Sequence, residues 1–201
     1  IALKNFSKNI HKIEKYYDFS IRQTILNEAR DLKLVASNYH NRAYNNPKLL
    51  IYNLKNPMNK LAAKIQLEGG ARIEGVALIK PEQLLRIKID KVTQVEKGII
   101  YTKEKGGKEG EVLVSRETYA ELENYLSLNS KFKINRQDYY NDIKQAAIIS
   151  KEVSEGSHGL RWNFAKRRMF EHGKADYTYS DSLQQVSYEM KHNRASITEH
   201  Y

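Results

Sequence analysis

The chain has 201 residues and no cysteine, which excludes a disulfide scaffold, thiol catalysis and the usual cysteine-built zinc sites. Its net charge of +10 suits a polyanionic partner, although charge alone does not separate DNA from RNA or an anionic membrane surface. At this length the chain holds one substantial domain plus a fragment of another, no apolar run is long enough to cross a bilayer, and no signal-peptide pattern opens at Ile1.

Up to about Asn46 the pattern is helical. Ile10, Ile13 and Tyr17 form one amphipathic stretch, and Ser20 is placed to cap a longer helix with Ile21, Ile25, Ala29 and Leu32 at helical spacing. Asn45-Asn46-Pro47 breaks that pattern, and Pro47 is placed to start a new helix, a signal that Asn56-Pro57 repeats. A helix over Met58–Leu67 ends at Gly69-Gly70, because glycine readily takes the left-handed conformation after a C-terminus. Arg72 then projects from the first turn of the next helix, with Ile73, Val76 and Ala77 buried.

After Pro81 the chain reads as extended. Leu84–Ile89 alternates apolar with basic residues, and Gly98–Thr102 and Glu111–Val114 read as two more strands. A glycine-rich hairpin turn, Lys103–Gly110, lies between those two. Arg116–Leu126 and Arg136–Ile149 fit amphipathic helices joined by the polar link Ser130–Lys133. The fold class predicted is α+β, mainly helical, with a small three-stranded antiparallel sheet.

Ser157 is placed to cap a helix from His158 towards Phe170, which makes His158 and Arg161 neighbours one turn apart. Ala165 and Arg168 continue that outward face, while Leu160, Phe164 and Met169 bury elsewhere. Glu171–Tyr177 reads as a polar loop, and Ser180 caps a helix with Leu183, Val186 and Met190 inside and His192 at its C-terminal end. Tyr201 sits on a short segment starting near Ser196. Arg161 offers a planar fork for two phosphate oxygens, and His158 can donate to a third or shuttle a proton. Each element alone has a plainer reading, since an H-x-x-R pair is usually solvated charge and a late tyrosine is usually incidental.

In order, His158-x-x-Arg161, His192 and Tyr201 resemble the H-x-x-R, H-or-W, Y motif of the tyrosine recombinase (phage integrase) family. Upstream, Gly70-Ala71-Arg72-Ile73-Glu74 is similar to its G-x-R-x-E element, and Lys105-Gly106-Gly107-Lys108-Glu109 to its K-G-x-K-E hairpin. The resemblance covers roughly Pro47 to Tyr201. Two departures stand out, a long interval between Arg161 and His192, and Lys191 where the family commonly has glycine.

The resemblance implies a site-specific DNA recombinase that cuts and rejoins DNA through a 3′-phosphotyrosine link. In it Arg72 and Arg161 flank the scissile phosphate, His192 bonds a phosphate oxygen, His158 handles the tyrosine proton and Tyr201 is the nucleophile. Lys105 is the first choice of general acid, with Lys103 and Lys108 as rivals. The scheme needs no metal and no cofactor. Lys60, Lys64, Lys166, Arg167 and Arg168 are the basic residues set against DNA backbone phosphates. The partners implied are double-stranded DNA and further copies of the chain in a tetramer, with no membrane, in the cytoplasm with the nucleoid. Residues 46–201 are the catalytic domain, cut just after the nucleophile, and 1–45 a lead-in or the tail of a preceding DNA-clamping domain. The alternatives are a type IB topoisomerase-like strand transferase, a non-catalytic DNA-binding protein and a metal-dependent nuclease using His158 and His192.

Overall fold

Asparagine and proline together set the first two helices after residue 45 in the computed structural model, which describes residues 24, 27, 28, 40–104, 106–192 and 195–198. The chain divides into two compact units, Ile1–His40 and Asn41–Tyr201. In the first unit Thr24, Asn27 and Glu28 are helical; the stripe residues named above and the Ser20 cap lie outside the described residues.

In the second unit α1 (Pro47–Tyr52) is capped by Asn46, whose Oδ1 accepts from the Leu49 N–H at 3.0 Å. Asn56 does the same for α2 (Pro57–Gly69), accepting from Met58 N–H at 2.9 Å. Proline at the first helical position presets φ and forfeits only an N–H that has no partner there. α2 ends on Gly70 at φ 67°, where a β-carbon would lie 2.5 Å from the Phe164 ring, so glycine is needed for both backbone and space. Arg72 takes the N-cap position of the four-residue helix α3 (Ile73–Val76) with its backbone alone, its side chain making no cap bond.

β1 (Leu78–Ile79) is followed by a 3₁₀ turn at Pro81–Gln83 and then by β2 (Leu84–Ile89), β3 (Glu96–Glu104) and β4 (Lys108–Val114). The last three form an antiparallel sheet in the order β2-β3-β4. The hairpin is tighter than expected: Glu104 pairs with Lys108, so most of Lys103–Gly110 is strand, and Gly106 and Gly107 turn the chain at φ 79° and 70°.

α4 (Arg116–Leu128) and α5 (Arg136–Ile149) are capped by Ser115 and Asn135. The link between them is not wholly polar. Phe132–Lys133 is β5, paired antiparallel with β1 so that Phe132 and Ile79 are both fully buried. α6 (Gly156–Lys174) starts on Glu155, placing Ser157 inside its first turn rather than at the cap. It also runs through Glu171–Lys174, expected as loop, because His172 is buried there with its ring 4.9 Å from that of Tyr177. α7 (Tyr179–Glu189) is capped by Thr178, not Ser180, and α8 (Ala195–Thr198) follows.

The main core gathers Leu50, Leu61, Ile65, Ile79, Ile100, Val112, Leu122, Phe132, Ile143 and Leu160, and a second cluster joins Phe164 and Ala165 of α6 to Val186 and Met190. α6 is therefore enclosed on several sides. Arg161 and Arg168, expected on an outward face, are 1% and 6% exposed. Among the described residues no helix is long and apolar enough to cross a membrane.

Candidate active site

Every second residue of β3 near its end, Ile100, Thr102 and Glu104, points inward, which carries a carboxylate into the interior. The Glu104 side chain is 0% exposed. Its Oε2 accepts from Arg72 Nη1 at 2.7 Å and lies 3.8 Å from Arg161 Nη1, while Oε1 accepts from the Arg72 backbone N–H at 3.1 Å and from Lys191 Nζ at 3.2 Å. Gly75 makes room for it, since a β-carbon there would stand 2.8 Å from Glu104 Cγ. Three cationic side chains from three parts of the chain thus meet at one carboxylate.

Arg161 is fixed from the other side by α7. Its Nη2 donates to the Met190 carbonyl at 3.2 Å and lies 3.4 Å from His192 Nε2. Arginine has only donors, so His192 Nε2 accepts; the imidazole proton then sits on Nδ1, 2.8 Å from Thr198 Oγ1 on α8. The turn after α7 places His192. Lys191 N–H bonds the Tyr188 carbonyl and His192 N–H the Ser187 carbonyl, with Lys191 in the left-handed conformation at φ 56°.

His158 rides on the first turn of α6, which is stapled by the segment before α1. Tyr44 OH donates to the Gly156 carbonyl at 2.9 Å, Arg42 Nε pairs with Glu155 at 2.7 Å, and Asn163 bonds both the Tyr44 N–H and its carbonyl. Gly159, between the histidine and the arginine, is what allows this approach: a β-carbon would lie 2.6 Å from Tyr44 Cε2 and 2.8 Å from the Arg42 carbonyl. Burial pushes the Tyr44 phenol up to about 12, so it stays a neutral donor.

Both histidines are neutral. Burial, then the charges of Arg161, Arg42 and Arg72, bring His158 down to about 4. Burial, then Arg161, Arg72, Lys108 and His158, bring His192 down to about 3. Burial would raise the Glu104 carboxyl, but Lys191, Arg72 and Arg161 outweigh it and hold it below the ordinary carboxylate range. Lys191 is lowered by burial, against the pull of Glu104. The result is a cationic site with neutral imidazoles, suited to an anion; among the described residues no group of three or more His, Asp and Glu side chains is placed to hold a metal.

The structure thus brings together Arg72, Arg161 and His192, with His158 inside their field. Lys105 and Tyr201 lie outside the described residues. Of the two rival lysines, Lys103 is 74% exposed and paired with Glu109 on the face of β3 away from Glu104. Lys108 is the cross-strand partner of Glu104, shares its face, and its charge reaches His192.

The basic residues assigned to DNA fare differently. Lys60 lies over the exposed Tyr52 ring, Lys64 pairs with Glu121, and Lys166 is exposed with Nζ on Asn41. Arg167 is half-buried, donating to the Glu68 carbonyl and pairing with Glu171. Arg168 is a correction: its guanidinium is buried between Asp90, Glu189 and Glu171 and has no face left for a phosphate. Sequence reasoning missed Glu104, Thr198 and the role of Lys191. Carrying the alternation of Ile100 and Thr102 two residues further would have placed Glu104 inside.

No protein-family model matches the sequence, and no curated protein matches it. Solved structures do. The XerH site-specific recombinase bound to a palindromic difH substrate in a post-cleavage complex superposes with a TM-score of 0.59 at 16% identity, over 82% of this chain and 50% of that one. The pre-cleavage complex of XerH with difH gives 0.55 at 16% identity, over 77% and 47%. The integrase from mycobacterium phage Brujita gives 0.53 at 18% identity, over 81% and 53%. The chain spans about half the length of these proteins. It has the tyrosine recombinase/integrase fold, mainly helical with a three-stranded antiparallel sheet.

Proposed function

We propose that residues 46–201 are the catalytic domain of a tyrosine site-specific recombinase that cuts and rejoins duplex DNA without a metal, acting in a tetramer in the cytoplasm with the nucleoid. Residues 1–45 are then a lead-in or the tail of a preceding DNA-clamping domain. The observation that carries this reading is the meeting of Arg72 and Arg161, far apart in sequence, on one buried carboxylate between neutral histidines.

In this reaction the two guanidiniums bind the non-bridging oxygens of a phosphodiester and neutralise charge that builds there. The Tyr201 phenol gives its proton to the neutral His158, and the phenolate attacks phosphorus. The bond from phosphorus to the 5′ oxygen breaks, and Lys105 protonates that oxygen, leaving a 3′-phosphotyrosine and a free 5′ hydroxyl. His192 orients Arg161 before DNA binds and donates to a phosphate oxygen once its Nε2 carries the proton. A second strand's hydroxyl reverses the steps and reseals the DNA.

The test uses the full-length protein, EDTA and a pool of nicked random-sequence duplexes. A protein–DNA adduct that survives denaturation, and a duplex sequence enriched in it, are the outcomes expected. Tight binding to an enriched duplex with no adduct would leave a non-catalytic DNA-binding protein.

A further inference from the structure

We propose that Glu104 is a positioning residue of the arginine site and that Lys191 is the counter-charge that lets a buried carboxylate lie behind two phosphate-binding arginines. It deepens the reading above and rests on Arg72 and Arg161 being the phosphate-binding pair.

Two guanidiniums that share one anion repel each other whenever the anion is absent. Glu104 meets that need from behind. One oxygen accepts from the Arg72 guanidinium and faces that of Arg161, while the other takes the Arg72 backbone N–H, so both head group and main chain of Arg72 are fixed. With its side chain 0% exposed, Glu104 does not reach the space a substrate would occupy, and a carboxylate there would repel a phosphate in any case. It acts through the arginines.

A lone carboxylate in this place has a cost, because it cancels one of the two charges offered to the phosphate. Lys191 restores it. Arg72, Arg161 and Lys191 carry three positive charges and Glu104 one negative, which leaves two, the charge of a phosphoryl group with an oxygen entering and another leaving. The backbone says that this lysine is there for its side chain. At φ 56° it occupies the left-handed position that ends α7, where glycine is the favoured residue. Its side chain is nonetheless drawn in to 6% exposure, and its Cε would lie 3.6 Å from a β-carbon at Gly110 on β4.

The experiment uses the full-length protein with inorganic phosphate as one probe and the duplex enriched by the wild type as the other. Lys191→Gly keeps the turn geometry and eases its strain, so its Tm should hold or rise while phosphate binding weakens about tenfold, as expected for one charge lost at close range. Glu104→Gln should do the opposite, binding phosphate at least as tightly but forming adduct at least about tenfold more slowly, because the extra charge remains while Arg72 loses its anchor. Combining the two should return phosphate affinity to within about threefold of the wild type, since the charges cancel again. A simple packing role would lower both readouts together. Unchanged phosphate affinity in Lys191→Gly, or a wild-type adduct rate in Glu104→Gln, overturns the proposal; the first result decides even where Glu104→Gln fails to fold. Absence of adduct from the wild type counts against the recombinase reading alone, and the phosphate arm still judges Glu104 and Lys191.

Discussion

Arg72 Nη1 and Glu104 Oε2 lie 2.7 Å apart, which joins the residue capping α3 to the last residue of β3. The β3–β4 hairpin turns at Gly106 and Gly107, so that turn and the first arginine are anchored at the same atom pair. The second arginine approaches that carboxylate from α6, and α7 supplies the carbonyl and imidazole that aim it. Helices, sheet and the turn after α7 are thus coupled through one buried charge.

Arg161→Lys should lower adduct formation by roughly a hundredfold or more, because an ammonium cannot reproduce a planar fork that also spans Met190 and His192. Single-turnover rates on the enriched duplex measure this. A loss under threefold would remove Arg161 from the reaction.

Gly159→Ala puts a β-carbon 2.6 Å from Tyr44 and 2.8 Å from the Arg42 carbonyl. Overpacking of that kind costs about 1–3 kcal/mol, more than the gain of up to about 1 kcal/mol from replacing a helical glycine. Urea unfolding should show the net loss, and a stabilised variant would mean that the segment at 41–46 is not held as described.

Much of this was legible in the sequence, and the failures have physical causes. Helix starts at Pro47, Pro57, Arg116 and Arg136 follow local capping chemistry, and the strands follow alternation, so both are written in neighbouring residues. β1 and β5 are too short to show a period, and Ser157 and Ser180 lost their caps to helices beginning two residues earlier. Glu104 was missed and Arg168 misread for one shared reason: a charged side chain is assigned to solvent until its distant partners are known, and those partners come from other elements.

Arg168 gives a prediction about stability in place of DNA binding. Replacing it with methionine strands Asp90, which its hydrogen bonds hold well below the ordinary carboxylate range despite burial, and Glu189 beside it. Breaking a buried network of this type costs about 3–5 kcal/mol. Calorimetry should show the lowered Tm, whereas the salt dependence of duplex binding by the folded fraction should match the wild type. Lys166→Ala, at an exposed position, should instead reduce the slope of log affinity against log salt by about one contact.

Acid should weaken the fold before any carboxylate titrates. His158 and His192 stay neutral down to about 4 and about 3, below the ordinary 6.5 of the unfolded chain. The unfolded state therefore takes up protons first as pH falls, and stability present in full above 6.5 declines below it. Each pH unit in that window costs about 1.4 kcal/mol per histidine. Below 4.5 the depressed Glu104 and Glu189 begin to lose their contribution as well. Urea midpoints between pH 6.5 and 4.5 should fall in the wild type and flatten in a His158→Gln, His192→Gln double variant; equal slopes would show that other groups carry the effect.

Tyr201→Phe removes one oxygen and keeps the ring, so it separates attack from binding. A phenol with an ordinary value near 10 is a weak nucleophile at neutral pH, and only a cationic site with a neutral acceptor nearby makes it effective. In the proposed reaction Arg72, Arg161 and Lys191 supply the first and His158 the second. The variant should bind the enriched duplex within about twofold of the wild type, since base and backbone contacts are untouched, yet form no covalent product on a denaturing gel. Undiminished adduct would transfer the nucleophile's role to another tyrosine, with Tyr177 and Tyr179, exposed before and at the start of α7, the first to replace.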